Sequence, residues 1–402
     1  MRHTWNRLAA FAALAMLVPA GAMASSARIS GLNVSGDYVK GDYTGMFTFL
    51  SEVNGVGNLA YVEAGSAERD FGDHAVGAVL PGLFDGRMGV WSFHLRQEHP
   101  ALGQSGIGEW LGPDFGDPNG ANTGEAFDVI WGHRMGSGNL GVRLNRSFQS
   151  YDDGSTVVEG NGDHGRNVLG LGAGYDFEWA DNGTVQFSGL YQSRHFKQSA
   201  TDKSDNGKAL QLTARMLHKF GGNATLIPVV KYASFDQARL SGTTDVTEKY
   251  TQIQAGLAGN WTVGTGDLLV FGAQFAHNTF DFGTTEIREN YAPSVFLALE
   301  TQLNPWLSFR AGAQNAMFLM HTQETGALQT ESKYHEFSFN LGTSVKLGSL
   351  MLDATLDPAF LQNPIAQLAG GASAYYSGGF SDRVTGYSSA IAFPKVTATY
   401  TW

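Results

Sequence analysis

The sequence predicts an all-β fold: a transmembrane antiparallel β-barrel of about sixteen strands over residues 57–402. Three observations carry this. Polar and apolar residues alternate with period two along most of the chain. Short and long connections alternate between the segments so defined. Glycine makes up 52 of 402 residues, about twice its usual share.

The elements follow in chain order. Arg2, His3 and Arg7 precede an apolar stretch from Leu8 to Val18, which Pro19 and Gly21 end. Ala22-Met23-Ala24 then supplies the small residues that signal peptidase accepts, so residues 1–24 read as a secretory signal cleaved before Ser25. The apolar run falls short of the roughly 20 residues a spanning helix needs. The chain has no cysteine, which excludes a lipoprotein anchor, a disulfide scaffold and any thiolate chemistry. A net charge of −11 argues against nucleic acid as a partner. Residues 25–56 form a segment of their own, an N-terminal plug or a periplasmic stretch. There Asp37-Tyr38 repeats as Asp42-Tyr43 ahead of Met46-Phe47-Thr48-Phe49.

Beyond that point the alternation is plain. Leu210, Leu212, Ala214 and Met216 share one face and Gln211, Thr213 and Arg215 the other. Leu307, Phe309, Ala311 and Ala313 alternate in the same way with Ser308, Arg310, Gly312 and Gln314. Strands are expected near 57–64, 75–83, 88–96, 125–134, 139–149, 167–179, 184–194, 208–219, 224–234, 250–263, 267–278, 290–303, 307–320, 334–347, 349–357 and 389–402. Fourteen is the alternative count, if the first pair belongs to a plug. Short turns at 84–87, 135–138, 180–183, 221–223, 304–306 and 347–349 alternate with polar stretches at 97–124, 150–166, 195–207, 235–249, 279–289, 321–333 and 358–388. These stretches are expected to be long loops. A soluble sandwich has no reason to alternate in this way, whereas a membrane barrel does.

At the C-terminus Val396, Ala398, Tyr400 and Trp402 lie on one face, and Lys395, Thr397, Thr399 and Thr401 on the other. This resembles the closing strand of Gram-negative outer-membrane barrels of the porin-like class, with Trp402 where that class usually has Phe. The resemblance implies an outer-membrane location, contact with lipid and lipopolysaccharide, and engagement of the barrel-assembly machinery through the last strand. It also implies passive diffusion of small polar solutes, without cofactor or catalysis; a homotrimer, as in trimeric porins, is compatible with it. The layout of residues 25–56 is similar to the N-terminal hatch of long-chain fatty-acid transporter barrels, although the Asn-Pro-Ala element of that family is missing. A plugged transporter for hydrophobic compounds is therefore an alternative, as is a non-conducting structural or surface-recognition barrel.

Parity assigns the lumen. Arg96, Arg134, Arg143, Arg194, Arg215 and Arg310, with Lys231 and Lys346, should face inward. So should Asp128, Asp176, Glu178, Glu300, Glu336 and Asp353. They could line an aqueous channel and set its selectivity, or pair across a plugged interior. On the outward parity, Trp91, Trp131, Trp179, Tyr191, Tyr232, Trp261, Tyr400 and Trp402 read as membrane-interface aromatics.

Other chemistry is thinly represented. Asp73-His74, Asp152-Asp153 and Asp163-His164 share only residue types with outer-membrane proteases, so no catalytic residue is assigned. Asp114, Asp117, Asn119 and Glu125 resemble a calcium loop but break its frame, and metal is not expected. Gly170, Gly172 and Gly174 alternate along a strand with no helix after them, as close-packed lumen glycines would, rather than as a nucleotide fingerprint.

Overall fold

A sheet surrounded by hydrocarbon must pair every amide it exposes, and only closure on itself achieves that. The structure, a computed structural model, describes residues 25–65, 74–96, 126–152, 163–179, 182–199, 202–241, 243–264, 266–281, 283, 285–356 and 395–402. Its strands are β1 (Leu59–Gly65), β2 (Ala75–Leu80), β3 (Val90–Arg96), β4 (Ala126–Met135), β5 (Gly138–Asp152), β6 (Asp163–Trp179), β7 (Gly183–Ser199) and β8 (Asp202–Phe220). They continue as β9 (Ala224–Ser241), β10 (Thr244–Val263), β11 (Asp267–Asp281), β12 (Thr285–Asn304), β13 (Leu307–Thr325), β14 (Leu328–Leu347), β15 (Leu350–Leu356) and β16 (Lys395–Thr401). Each pairs antiparallel with its chain neighbours, and β1 pairs with β16 from Leu59↔Thr401 to Gly65↔Lys395 to close a sixteen-stranded barrel. The first strand pair thus belongs to the sheet, and the fourteen-strand alternative does not hold. Among the described residues no helix is long and apolar enough to cross a membrane.

One expectation needs correcting. The stretches 195–207, 235–249, 279–289 and 321–333 are not long loops. β7 runs to Ser199 and β8 begins at Asp202; β9 and β10, β11 and β12, and β13 and β14 are joined just as tightly. β8, β10, β12, β13 and β14 have 19 or 20 residues, about twice what a tilted strand needs to span a bilayer. Their outer halves project into water, where both faces can be polar. The apolar alternation fades there, as in Thr244-Asp245-Val246-Thr247-Glu248, while backbone pairing continues. At the opposite end the turns are short, and Gly136, with φ 64°, lets β4 reverse into β5 within two residues.

Strand β5 shows the polarity of the wall. Arg143, Asn145 and Ser147 are buried, while Leu144 is 41% and Phe148 60% exposed. Polar side chains point inward and apolar ones outward, the reverse of a soluble protein.

The space enclosed by the strands contains residues 25–56. A short helix α1 (Ser26–Leu32) lies against β13, β14 and β15. A 3₁₀ turn at Gly36–Tyr38 lies against β9 and β10, and another at Leu50–Gly55 against β4, β5 and β6.

Candidate functional site

The segment inside the barrel is locally well specified. Ser25 caps α1 by accepting the Arg28 amide at 3.1 Å, and Asn33 ends it in the left-handed region at φ 50°. Asp42 accepts the Thr44 amide at 2.9 Å at the head of the 3₁₀ turn Tyr43–Phe47. Two apolar contacts then fix it to the wall. Leu32, Val34, Tyr38 and Val39 pack on Ile227, Val229, Val270 and Phe296, while Tyr43, Met46, Leu50 and Val53 pack on Tyr61, Val79 and Ile130.

Glycines admit the segment's backbone. A Cβ on Gly312 would overlap the Leu32 carbonyl, and one on Gly141 the Leu50 carbonyl. Gly31 and Gly342 meet face to face, so that a Cβ on Gly31 would lie 3.0 Å from the Gly342 Cα. Leu50 covers Gly172 and Gly174: a Cβ added to the first would lie 2.9 Å from its Cδ1, and one added to the second 3.1 Å from its N.

Three charged clusters complete the contact. Arg28 Nε donates to Glu300 Oε2 at 2.6 Å and Nη2 to Oε1 at 3.1 Å, and Asp42 lies 3.6 Å from Nη1. Glu300 also accepts Arg310 Nε, and Arg310 Nη1 reaches Asp353 at 2.8 Å. Asp353 accepts Ser25 Oγ at 2.9 Å. In the second cluster Arg143 and Arg96 share Asp128, at 2.7 and 3.3 Å. Arg143 donates to the Phe47 carbonyl at 3.0 Å, and the Arg96 guanidinium stacks 3.5 Å from the Phe47 ring centre. In the third, Arg215 binds Glu52 and Lys231 binds Asp37. The void left between Phe47, Leu50, Leu190 and Gln211 is about 10 Å³, room for one water at most.

Of the residues assigned inward from sequence, Arg96, Arg143, Arg215, Arg310, Asp128, Glu300 and Asp353 are thus brought together around the segment. Arg194 lies further along the lumen, with its guanidinium 5.5 Å from the Phe235 ring centre and Nη2 donating to Gln192 at 3.1 Å. Asp176 instead accepts Asn139, Nδ2 at 2.9 Å, near the short-turn end. Arg134 and Glu178 are solvent-exposed at that same end. The Glu336 side chain lies outside the described part of the structure, as do Asp114, Asp117, Asn119, Glu125, Asp73, Asp153, residues 1–24 and the stretch 358–388. The Asp152, Asp163 and His164 side chains are outside it too. Sequence reasoning singles out Asp42 within the doubled Asp-Tyr without giving it a role, and misses Arg28 and Glu52, since a single Arg or Glu in a short segment carries no periodicity.

The outer surface carries exposed Leu95, Leu171, Phe271 and Leu297 in its middle, with Phe148 further from the short turns. Aromatic side chains collect at the short-turn end. Trp131 Nε1 donates to the Met88 carbonyl at 2.6 Å, Tyr400 stacks on Trp402 with ring centres 6.0 Å apart, and Trp179 is exposed. Trp91 and Trp261 occupy outward positions at the same end, and Trp306, which parity alone does not single out, is exposed there as well. A closed antiparallel barrel with a polar interior, an apolar belt and an aromatic rim has one environment in which every surface is satisfied. The chain is an outer-membrane β-barrel. No protein-family model and no curated protein matches its sequence. Among solved structures it is similar to the alcaligin outer-membrane receptor FauA of Bordetella pertussis, with 11% identity, a TM-score of 0.43, and coverage of 74% of this chain and 50% of that one. It is also similar to the siderophore receptor PirA of Acinetobacter baumannii, with 10% identity, a TM-score of 0.41, and coverage of 74% and 51%. OmpT, an outer membrane protein of Vibrio cholerae in its trimer form, matches with 12% identity, a TM-score of 0.36, and coverage of 86% of this chain and 98% of that one. The outer-membrane barrel therefore spans about half the length of the two receptors.

Proposed function

We propose that this barrel is a gated transport channel and that residues 25–56 are its gate. The observation that carries the reading is the run Arg28–Glu300–Arg310–Asp353–Ser25, in which both ends belong to the segment and the middle to β12, β13 and β15. Ion pairs stripped of water on both sides are an expensive way to hold a permanent core and a workable way to hold a removable one. The lumen beyond the gate bears Asn145, Gln192, Gln252 and Asn278 among its buried side chains, which suits small polar solutes. This favours gated passage over a freely open pore. A second reading, transport of hydrophobic compounds, is supported by Leu190, Phe235, Tyr250 and Phe280, which form an apolar cluster on the same inward face. Neither reading gives the loops a catalytic role. Both take residues 1–24 as an export signal and the strand ending at Trp402 as the handle for barrel assembly.

Single-channel recording of the refolded protein in a planar bilayer tests the gate. The intact chain should be silent or flicker rarely, and the chain lacking residues 26–56 should conduct steadily. Steady conductance from the intact chain would restore the freely open pore. Silence from both would remove transport altogether.

A further inference from the structure

Two cations on the inward face of β8 and β9 take carboxylate partners from the gate. Arg215 is only 3% exposed. Its Nε donates to Gln186 Oε1 of β7 at 2.6 Å, its Nη1 to the Asp37 carbonyl at 2.9 Å, and its Nη2 to Glu52. Its guanidinium carbon lies 3.8 Å from the centre of the Phe49 ring. Of these partners only the neutral Gln186 belongs to the wall. Lys231, opposite Thr213 in the β8–β9 register, pairs with the Asp37 carboxylate. Asp37 therefore bridges the two cations, one through its carbonyl and the other through its side chain.

Arg310 provides the contrast. Its carboxylates, Glu300 and Asp353, are both wall residues, so it stays neutralised wherever the gate is. Arg215 does not, because withdrawing the gate removes Glu52, the Asp37 carbonyl and the Phe49 ring together. A guanidinium in a narrow lumen then demands an anion, and its planar fork suits one that presents two oxygens.

We propose that Arg215 and Lys231 are the subsite for the acid group of a transported organic anion, a carboxylate or a phosphate ester, and that Glu52 and Asp37 stand in for that group while the channel is shut. The proposal rests on the gate reading above. Anion binding and gate seating use the same donors, so they exclude each other, and an arriving anion favours the open channel by mass action.

The absence of cysteine makes a clean test available. Ser51, 1% exposed and next to Glu52, is replaced in the full-length protein by Ser51→Cys, and its labelling by a thiol reagent is timed in liposomes. Benzoate and inorganic phosphate serve as probes, with choline chloride and sodium chloride at equal ionic strength as references. Both probes should speed labelling by at least about fivefold over the references. Arg215→Gln should abolish the effect and Arg215→Lys should keep part of it, the latter guarding against a variant that fails to fold. If the probes act no faster than sodium chloride while Arg28→Gln alone raises labelling and conductance, the subsite is overturned and the gate stands. If Arg28→Gln also changes neither, the gate reading falls and takes the subsite with it.

Discussion

Arg28 of α1 and Glu300 of β12, 272 residues apart in sequence, form a two-pronged ion pair at 2.6 and 3.1 Å inside the barrel. Glu300 keeps Arg310 when Arg28 is lost, so Arg28→Gln should spare the wall and weaken the seat. Breaking a buried pair from one side costs about 3–5 kcal/mol. The expected outcome is frequent opening in bilayer recordings with unchanged heat-modifiable migration of the barrel on gels.

Backbone clearance gives a second handle. Gly312→Ala places a methyl group where the Leu32 carbonyl now lies. Overpacking of this kind costs about 1–3 kcal/mol, and here it falls on the contact between α1 and β13. Conductance should rise as in Arg28→Gln. Gly222→Ala, in the open turn between β8 and β9 with no neighbour to meet, should show no such opening.

Seating should depend on pH. Burial pushes the Asp42 carboxyl up to about 6, against the opposing pull of Arg28 and Thr44, with Glu52 adding to the rise. The seated gate therefore holds a proton that the released gate gives up, so seating is firmest below the ordinary carboxylate range and weakens steadily as pH rises from there through about 6. Open probability should be higher at about pH 7.5 than at about pH 5. Asp42→Asn should flatten the profile, and a profile that keeps its slope in that variant would locate the effect elsewhere.

The lipid belt makes its own prediction. Leu171 is 60% exposed on the outer face of β6. Leu171→Arg, in the middle of the apolar belt, should destabilise the inserted barrel by about 2–4 kcal/mol. Urea titration of the folded fraction in vesicles measures this, and Glu178→Arg, at the exposed short-turn end of the same strand, supplies the control.

The parts legible in sequence are those governed by local rules. Period two locates every strand because each residue's face depends only on its neighbours. The outer reaches of β8 to β14 escape it because the environment that imposes alternation ends at the membrane surface, while pairing does not. Parity places Arg215, Glu300 and Arg310 inside, but it cannot say what they meet. Their partners Glu52 and Arg28 lie in a segment without the period-two alternation, and the distance between Arg28 and Glu300 along the chain leaves no local trace. The alternating glycines of β6 point to close packing in the lumen, where Leu50 packs on Gly172 and Gly174 and Asn145 on Gly170.

The beginning of the described chain also spans the join in the ring. Ser25 binds Asp353 of β15, Thr355 of β15 donates to the Ala27 carbonyl, and the Ser26 amide reaches Glu63 of β1 at 3.4 Å. These contacts bracket β16, which lies between β15 and β1 in the ring. Ser25 and Ser26 can therefore hold β15 and β1 at once only when β16 lies between those two strands. The segment inside the barrel thus doubles as a clasp across the seam, and in a barrel still open between β1 and β16 these three contacts cannot all form.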